Sequence, residues 1–140
     1  MATGNNKPSD LYLLHCRNFR KIHHAGMIIG LGTDGTGDGF GAQEQINTYT
    51  GCGMTPKEAI VAGTSVNARI LGMDQLGTVA AGKEASFIVL DANPLDNILN
   101  TRKISSFYLR GQMVDRQGLR AKWQNAPAPP APAGRGRGRQ

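Results

Sequence analysis

The spacing of apolar residues predicts helices in the first half of the chain and strands in the second. An apolar stripe at helical spacing predicts a helix from Asp10 to about Ala25, which Ser9 can cap. Gly26 ends that helix. The apolar run Met27–Leu31 follows and predicts a short strand buried on both faces, as the strands of parallel sheets are.

Two further helices are predicted before the period changes. One runs from Ala42 to about Thr50. The other begins at the sequence TPKE, where Thr55 can cap the helix, Pro56 takes its first position and Glu58 can reach back to the cap amide. This helix is predicted to continue to Leu71.

The second half reads as strands and turns. The stretch LGTVAAGKEASFIVLD predicts a strand, a turn at Gly82-Lys83 and an apolar strand from Phe87 to Leu90. ANPLDN predicts a turn with a short helical piece, and KISSFYLRGQMVDRQG predicts a hairpin that turns at Arg110-Gly111. Residues 126–140 are Pro, Ala, Gly and Arg with a terminal Gln and are expected to be disordered.

Composition adds several constraints. At 140 residues the chain is one domain or a piece of a larger one. No apolar run approaches the roughly 18 residues of a membrane helix, and the polar N-terminus MATGNNKPSD shows no signal peptide. We therefore expect a cytoplasmic protein that does not enter a membrane. Cys16 and Cys52 form no CxxC motif and are predicted to be free thiols in a reducing compartment.

Charge gives little support for a nucleic-acid partner. The net charge is +6, and Arg135, Arg137 and Arg139 of the tail account for half of it. The remaining +3 is too mild to imply nucleic acid. The Arg-Gly repeat is only a weak electrostatic feature because no aromatic residue is interleaved with it.

The glycine-rich stretch GMIIGLGTDGTGDGFG, residues 26–41, fits three kinds of site. Gly30 to Gly35 matches the GxGxxG template of dinucleotide binders, but the following GTGDGFG cannot start the helix that would hold a pyrophosphate. Asp34 and Asp38 match a calcium loop, whose twelfth position should be Glu and is here Gln45. Asp34 also fits a carboxylate at the C-terminal end of a barrel-type strand, where active sites gather. A loop aspartate that only bonds nearby amides explains the local features equally well.

Five motifs follow one another along the chain: AGMIIGLGTDG, GMTPKEAI, TSVNARILGM, LGTVAAGKEASFIVLDANPL and ISSFYLRGQMVDR. In this order they resemble the C-terminal end of the amidohydrolase superfamily, in its imidazolonepropionase-like and prolidase-like branch, over about residues 10 to 123. The resemblance implies an α/β fragment. Residues 10–75 would be the last strand-helix units of a (β/α)8 metal-dependent hydrolase barrel, and residues 76–123 strands of its small β-sandwich domain. Residues 1–9 would be a polar N-terminus and residues 124–140 a disordered tail.

The resemblance also implies a site and a reaction. In the family the aspartate of the GTD motif closes the last barrel strand as metal ligand and proton acceptor, and that role maps onto Asp34. The implied cofactor is a divalent metal, zinc. The implied reaction is hydrolysis of a non-peptide C–N bond (amide or cyclic amide), or of a dipeptide-type bond, in a small-molecule substrate. Ser86 departs from the family's usual aspartate and puts one structural hydrogen bond in doubt.

The family's other metal ligands have no counterpart here, because the sequence contains no HxH. His15, His23 and His24 all fall on the first predicted helix and are expected to face solvent. A hydrolytic zinc site needs at least three protein ligands, so this chain alone is not expected to hold the metal. The expected partner is a separate N-terminal barrel portion or a second copy. The alternative is a non-catalytic fragment or interaction module with weak nucleic-acid binding by the Arg-Gly tail.

Overall fold

The computed structural model describes residues 8–33 and 41–125, which form a mixed α/β unit with one small sheet. The glycine-rich stretch around Asp34 and residues 126–140 of the tail predicted to be disordered lie outside the described residues. Gln124 and Asn125, which were also assigned to that tail, are instead the last residue and the C-cap of a helix. The division into barrel and β-domain segments stays a prediction. The elements are α1 (Asp10–His24), α2 (Gly41–Gly51), α3 (Pro56–Val61), a π-helical turn (Ala62–Val66), α4 (Asn67–Ile70), β1 (Phe87–Leu90), a 3-10 helix (Ile98–Arg102), β2 (Ile104–Leu109), β3 (Gln112–Met113) and α5 (Arg116–Gln124).

The starts of α1 and α3 follow their local signals. Ser9 caps α1 as predicted, because its hydroxyl accepts from the Tyr12 N–H at 3.2 Å. At the start of α3 the hydroxyl of Thr55 accepts from the Glu58 N–H at 3.2 Å, and Glu58 Oε2 accepts from the Thr55 N–H at 2.8 Å. The predicted capping box is therefore confirmed. The helix that it opens runs on through the π turn and α4, and Leu71 caps its end as expected.

Two predicted strands are absent from the described part of the chain, and both predictions were wrong. The run Met27–Leu31 has no regular secondary structure and pairs with no strand there. In the stretch LGTVAAGKEASFIVLD only Phe87–Leu90 forms a strand. Val79, which lies upstream of this strand, is 86% exposed, so its side chain is not packed as that of a buried strand would be. Strands require main-chain partners, which an apolar pattern alone cannot supply.

The three-stranded sheet is antiparallel in the order β1-β2-β3. The predicted hairpin joins β2 to β3, and its turn residues Arg110 and Gly111 have φ of 51° and 79°, as a tight primed turn requires. Ser86, the residue that departs from the family pattern, makes a hydrogen bond here, since its hydroxyl accepts from the Arg110 N–H at 3.0 Å. The helical piece expected near ANPLDN appears just after it, at Ile98–Arg102.

The helix α5 was not predicted, because its residues were assigned to strands and tail. Asp115 caps it by accepting from the Gly118 N–H at 2.9 Å. Among the described helices, none combines the length and apolar character needed to cross a membrane.

The two cysteines are joined, so the prediction of free thiols was wrong. Cys16 of α1 and Cys52, which follows α2, form a disulfide with their Cα atoms 4.7 Å apart, and both are buried. Their 36-residue separation carried no spacing signal, because the packing of α1 against the end of α2 brings them together. One argument for a reducing compartment is thereby removed, and the cytoplasmic location stays a prediction.

The buried core is small, and this makes the disulfide important for stability. Most of its members have short side chains, and several large apolar residues of α1 are exposed. Among the residues that the structure describes, the buried apolar ones are Cys16, Cys52, Met54, Ala59, Ala62, Ala68 and Ile98.

Reduction of the disulfide should lower the free energy of unfolding by about 3–4 kcal/mol, because the unfolded chain regains the freedom of a long loop. Thermal denaturation with and without a phosphine reductant measures this change. The Cys16→Ala/Cys52→Ala variant is the control and should melt at the same temperature in both conditions. Equal melting of the native chain in the two conditions would contradict the prediction.

The capping box should be a coupled unit. Thr55→Ala should lower the free energy of unfolding by about 1 kcal/mol, Glu58→Ala by less, and the double variant by less than the sum of the two. Hydrogen bonds from the Thr55 N–H and hydroxyl lower the pKa of Glu58 from its usual 4.5. The stabilisation is therefore complete above pH 4.5 and is lost as pH falls through the lowered pKa. Denaturant titrations across this range should show an acid loss that is smaller in Thr55→Ala, and strict additivity would mean that the box does not act as a unit.

Candidate functional site

The predicted site residue, Asp34, lies outside the described residues. The structure does describe the segment that leads to it, residues 27–33, and the chain from Gly41 onward. We call this segment, residues 27–33, the lead segment. The candidate site is therefore defined by the side chains that hold the lead segment in place.

Asn67 takes the place of a neighbouring strand. Its Nδ2 donates to the Leu31 carbonyl at 2.8 Å, and its Oδ1 accepts from the Leu31 N–H at 2.8 Å. A β-strand partner makes the same two hydrogen bonds to one residue of its neighbour. The main chain three residues before Asp34 is thus fixed by one side chain.

Gly30 makes this close approach possible. A Cβ at this position would lie 2.5 Å from Asn67 Oδ1 and 2.8 Å from Ile70 Cδ1. Both distances are shorter than real contacts allow, so a larger residue would force the Asn67 amide and the end of the Ile70 side chain to move. The glycine is needed here for space.

Tyr49 of α2 holds the lead segment through a third hydrogen bond. Its phenol donates to the Gly30 carbonyl at 3.0 Å, and the Phe19 ring packs on it with centroids 4.8 Å apart. Burial raises the pKa of Tyr49, and a hydrogen bond with the backbone at Gly32 partly offsets the rise. The phenol therefore stays protonated, and able to donate, throughout the neutral range.

The π-helical turn sets the position of Asn67, which is the first residue after it. An extra residue in one turn changes the helical face that the following residues present. At Gly63, inside the turn, a Cβ would sit only 3.5 Å from Leu31 Cδ1, so the helix and the lead segment are in contact. Such insertions are frequent at functional sites.

Sequence reasoning missed both Tyr49 and Asn67. The motif TSVNARILGM was noted, but no role was given to its asparagine. The available signal was an asparagine inside a helix, where this residue is a poor helix former and usually makes a specific hydrogen bond.

The histidines only partly match their predicted exposure. His15 and His24 are exposed, whereas His23 is half-buried, with Nε2 3.7 Å from Glu58 Oε1 and a buried Nδ1 that has no hydrogen-bond partner. Within residues 8–33 and 41–125, no group of three His, Cys, Asp or Glu side chains could hold a metal ion.

An open groove of about 260 Å³ runs along the lead segment. Met27, Ile28 and Ile29 form one side, and Val61 and Val66 of the long helix form the other. Met27 and Ile28 are exposed. The described part of the chain leaves these apolar side chains uncovered.

The lead segment is thus hydrogen-bonded to Tyr49 of α2 and to Asn67 of α4 within a mixed α/β unit. The chain belongs to the amidohydrolase family, whose model matches residues 10–114. This confirms the family resemblance seen in the sequence.

Solved structures and a curated protein agree with the family. The chain is 36% identical to a prolidase-like protein from Bifidobacterium longum (TM-score 0.66, 72% of this chain, 26% of that one). It is 32% identical to phenylurea hydrolase B (TM-score 0.69, 75% and 28%). A 5-methylthioadenosine/S-adenosylhomocysteine deaminase from Carboxydothermus hydrogenoformans is 27% identical over 111 residues, which are 68% of this chain and 25% of that protein.

The chain thus spans about a quarter of the length of the relatives it matches. Prolidase-like neighbours are among the matches, as predicted, whereas the imidazolonepropionase-like branch stays a prediction.

Asn67→Ala should lower the free energy of unfolding by about 1–3 kcal/mol, because the half-buried N–H and carbonyl of Leu31 lose their partners. Gly30→Ala should also destabilise, and combining the two should cost less than their sum, since Asn67 is one of the two groups that the new methyl meets. Urea denaturation measures all three variants. Asn47→Ala, the same change at an exposed helical position, is the control, and an equal loss there would contradict the role of Asn67.

Proposed function

We propose that this chain provides the C-terminal part of a metal-dependent amidohydrolase that hydrolyses non-peptide C–N bonds, in amides or cyclic amides, or a related dipeptide-type bond. The observation that carries the proposal is that hydrogen bonds from Asn67 and Tyr49 hold the lead segment, three residues before Asp34. These residues all lie within the family match over residues 10–114. The names of two relatives, a phenylurea hydrolase and a deaminase, support chemistry at C–N bonds.

The lead segment forms no strand within the described chain. In this proposal it would become the last strand of a (β/α)8 barrel only when its neighbours are supplied. The neighbouring strands would then come from polypeptide other than the described residues. In the chain without them, Asn67 holds one residue of the lead segment. Active sites of such barrels lie at the C-terminal ends of the strands, the direction in which Asp34 follows Leu31. The sheet β1-β2-β3 would belong to the small β-sandwich domain.

Asp34 is the proposed catalytic residue and metal ligand. As a general base it would accept a proton from the attacking nucleophile and deliver it to the leaving nitrogen. The described residues do not by themselves form a metal site, so the remaining ligands would come from elsewhere in the complete enzyme. The proposed metal is zinc, for which a carboxylate oxygen is a suitable ligand.

The apolar groove supports the proposed partner. Exposed Met27 and Ile28, next to main chain without a strand partner in the described residues, match the surface that an N-terminal barrel portion would cover. A second copy of this chain is the competing partner. The proposed substrate is a small molecule bound in the completed barrel.

The isolated chain should contain well under one equivalent of zinc and show no hydrolase activity, whereas co-expression with the N-terminal portion of a relative should restore both. Metal analysis, sedimentation and assays on a panel of amides, cyclic amides and dipeptides measure this. In the complex, Asp34→Asn should abolish hydrolysis, while Asp38→Asn, a matched change in the same loop, should retain most of it.

Three outcomes would contradict the proposal. The first is one tightly bound zinc per isolated chain that is lost on Asp34→Asn, which would mean that this chain holds the metal itself. The second is a complex that forms and binds zinc but stays active as Asp34→Asn. The third is a compact isolated monomer that melts cooperatively and does not associate with the N-terminal portion.

A further inference from the structure

The helix α5 lies beyond the part of the chain that matches the amidohydrolase family. The match ends at residue 114, and α5 spans Arg116–Gln124. The helix is anchored at its first turn, where the Asp115 carboxylate caps it and Arg116 Nη1 donates to the Ile104 carbonyl at 2.8 Å. Every residue from 119 to 125 is exposed.

One face of α5 combines cations with an aromatic ring. Arg116, Arg120 and Trp123 follow the i, i+4, i+7 spacing and therefore share a stripe of the helix. The Trp123 residue is 82% exposed, and Lys122 adds a further cation beside it. An indole with this exposure and these neighbours has no role in packing the described fold.

The positive charge of the chain is concentrated in the same region. Residues 1–114 contain ten Lys and Arg against nine Asp and Glu, whereas residues 115–140 contain six against one. The family-matched part is therefore nearly neutral. Charge complementarity points to a polyanion as the ligand of the C-terminal segment.

We propose that α5 binds single-stranded nucleic acid, with the positive charge of the Arg-Gly repeat that follows it in sequence adding to the attraction. Arg120 and Lys122 contact phosphates, and Trp123 stacks on a base. This proposal reverses the expectation from the sequence, which found no aromatic residue within the repeat. The aromatic residue is on α5 instead.

The alternative polyanion, an anionic membrane surface, fits these residues less well. Membrane-surface helices bury a continuous apolar face, and α5 is nine residues long with only Leu119 and Trp123 as large apolar side chains. Five of the six cations are arginines, which bind phosphate bidentately and stack on planar groups.

The full-length chain offers a direct assay, because Trp123 is its only tryptophan. Twelve-residue oligouridylate and oligothymidylate, titrated in 50 mM salt, should both quench its fluorescence. Affinity should fall as salt rises, with a log-log slope no steeper than about −4 for six cations. Quenching by both oligomers is expected since phosphates and bases are common to RNA and DNA, and binding of only one would restrict the ligand to that polymer.

Matched variants distinguish binding by this site from nonspecific attraction to the positive charge of the chain. Arg120→Gln/Lys122→Gln should weaken binding and reduce the salt slope by about 1.4. Arg17→Gln/Lys21→Gln removes two exposed cations from α1 and should leave the slope nearly unchanged. Trp123→Leu, followed by anisotropy of labelled oligomer, should lower affinity about fivefold or more, since a stacked base is lost.

Several results would overturn the proposal. No binding at 50 mM salt would do so, as would equal losses in the two charge-pair variants. Heparin is a polyanion without bases. If it quenched the fluorescence as much as the oligomers do, the segment would be a general polyanion binder and not a nucleic-acid site. A blue shift with phosphatidylserine vesicles, without any response to the oligomers, would assign α5 to a membrane surface.

Discussion

The pairing of the Asn67 side chain with the main chain of Leu31 is the interaction on which the candidate site depends. It gives the lead segment the hydrogen bonds that a strand neighbour would supply. Three other features serve the same contact: Gly30 leaves space for it, Tyr49 fixes the carbonyl next to it, and the π turn brings Asn67 to the correct face. The direction in which the chain proceeds toward Asp34 follows from this cluster.

The disulfide supports the same region from a distance. Cys16 and Cys52 enclose the lead segment and Tyr49 within one covalent loop. The core beneath is built mainly from alanines and other small side chains, which bury little apolar area each. Specific connections, a covalent bond and a few well-placed hydrogen bonds, therefore carry much of the order that a larger core would provide.

The chain combines a family segment with a region of different character. Residues 10–114 match the amidohydrolase family and are nearly neutral, and their proposed role is to complete a hydrolase site around Asp34. The basic helix α5 and the residues after it lie outside that match, and their proposed ligand is a nucleic acid. The two proposals rest on different residues, so each stands or fails without the other.

The sequence by itself determined the features that depend on neighbouring residues. The caps at Ser9 and Thr55 and the turn at Arg110-Gly111 involve groups at most three positions apart, so local chemistry specifies them. The order of motifs also identified the family. Asp34, the candidate site residue, is a prediction of the sequence alone, because it lies outside the described residues.

Only the tertiary structure decided the disulfide, the clamp on Leu31 and the absence of a strand partner for the lead segment in the described chain. The disulfide and the hydrogen bonds between Asn67 and Leu31 each join residues 36 positions apart. No local pattern encodes contacts over such separations. An apolar run predicts burial but cannot say whether a neighbouring strand or a single asparagine will satisfy its main chain.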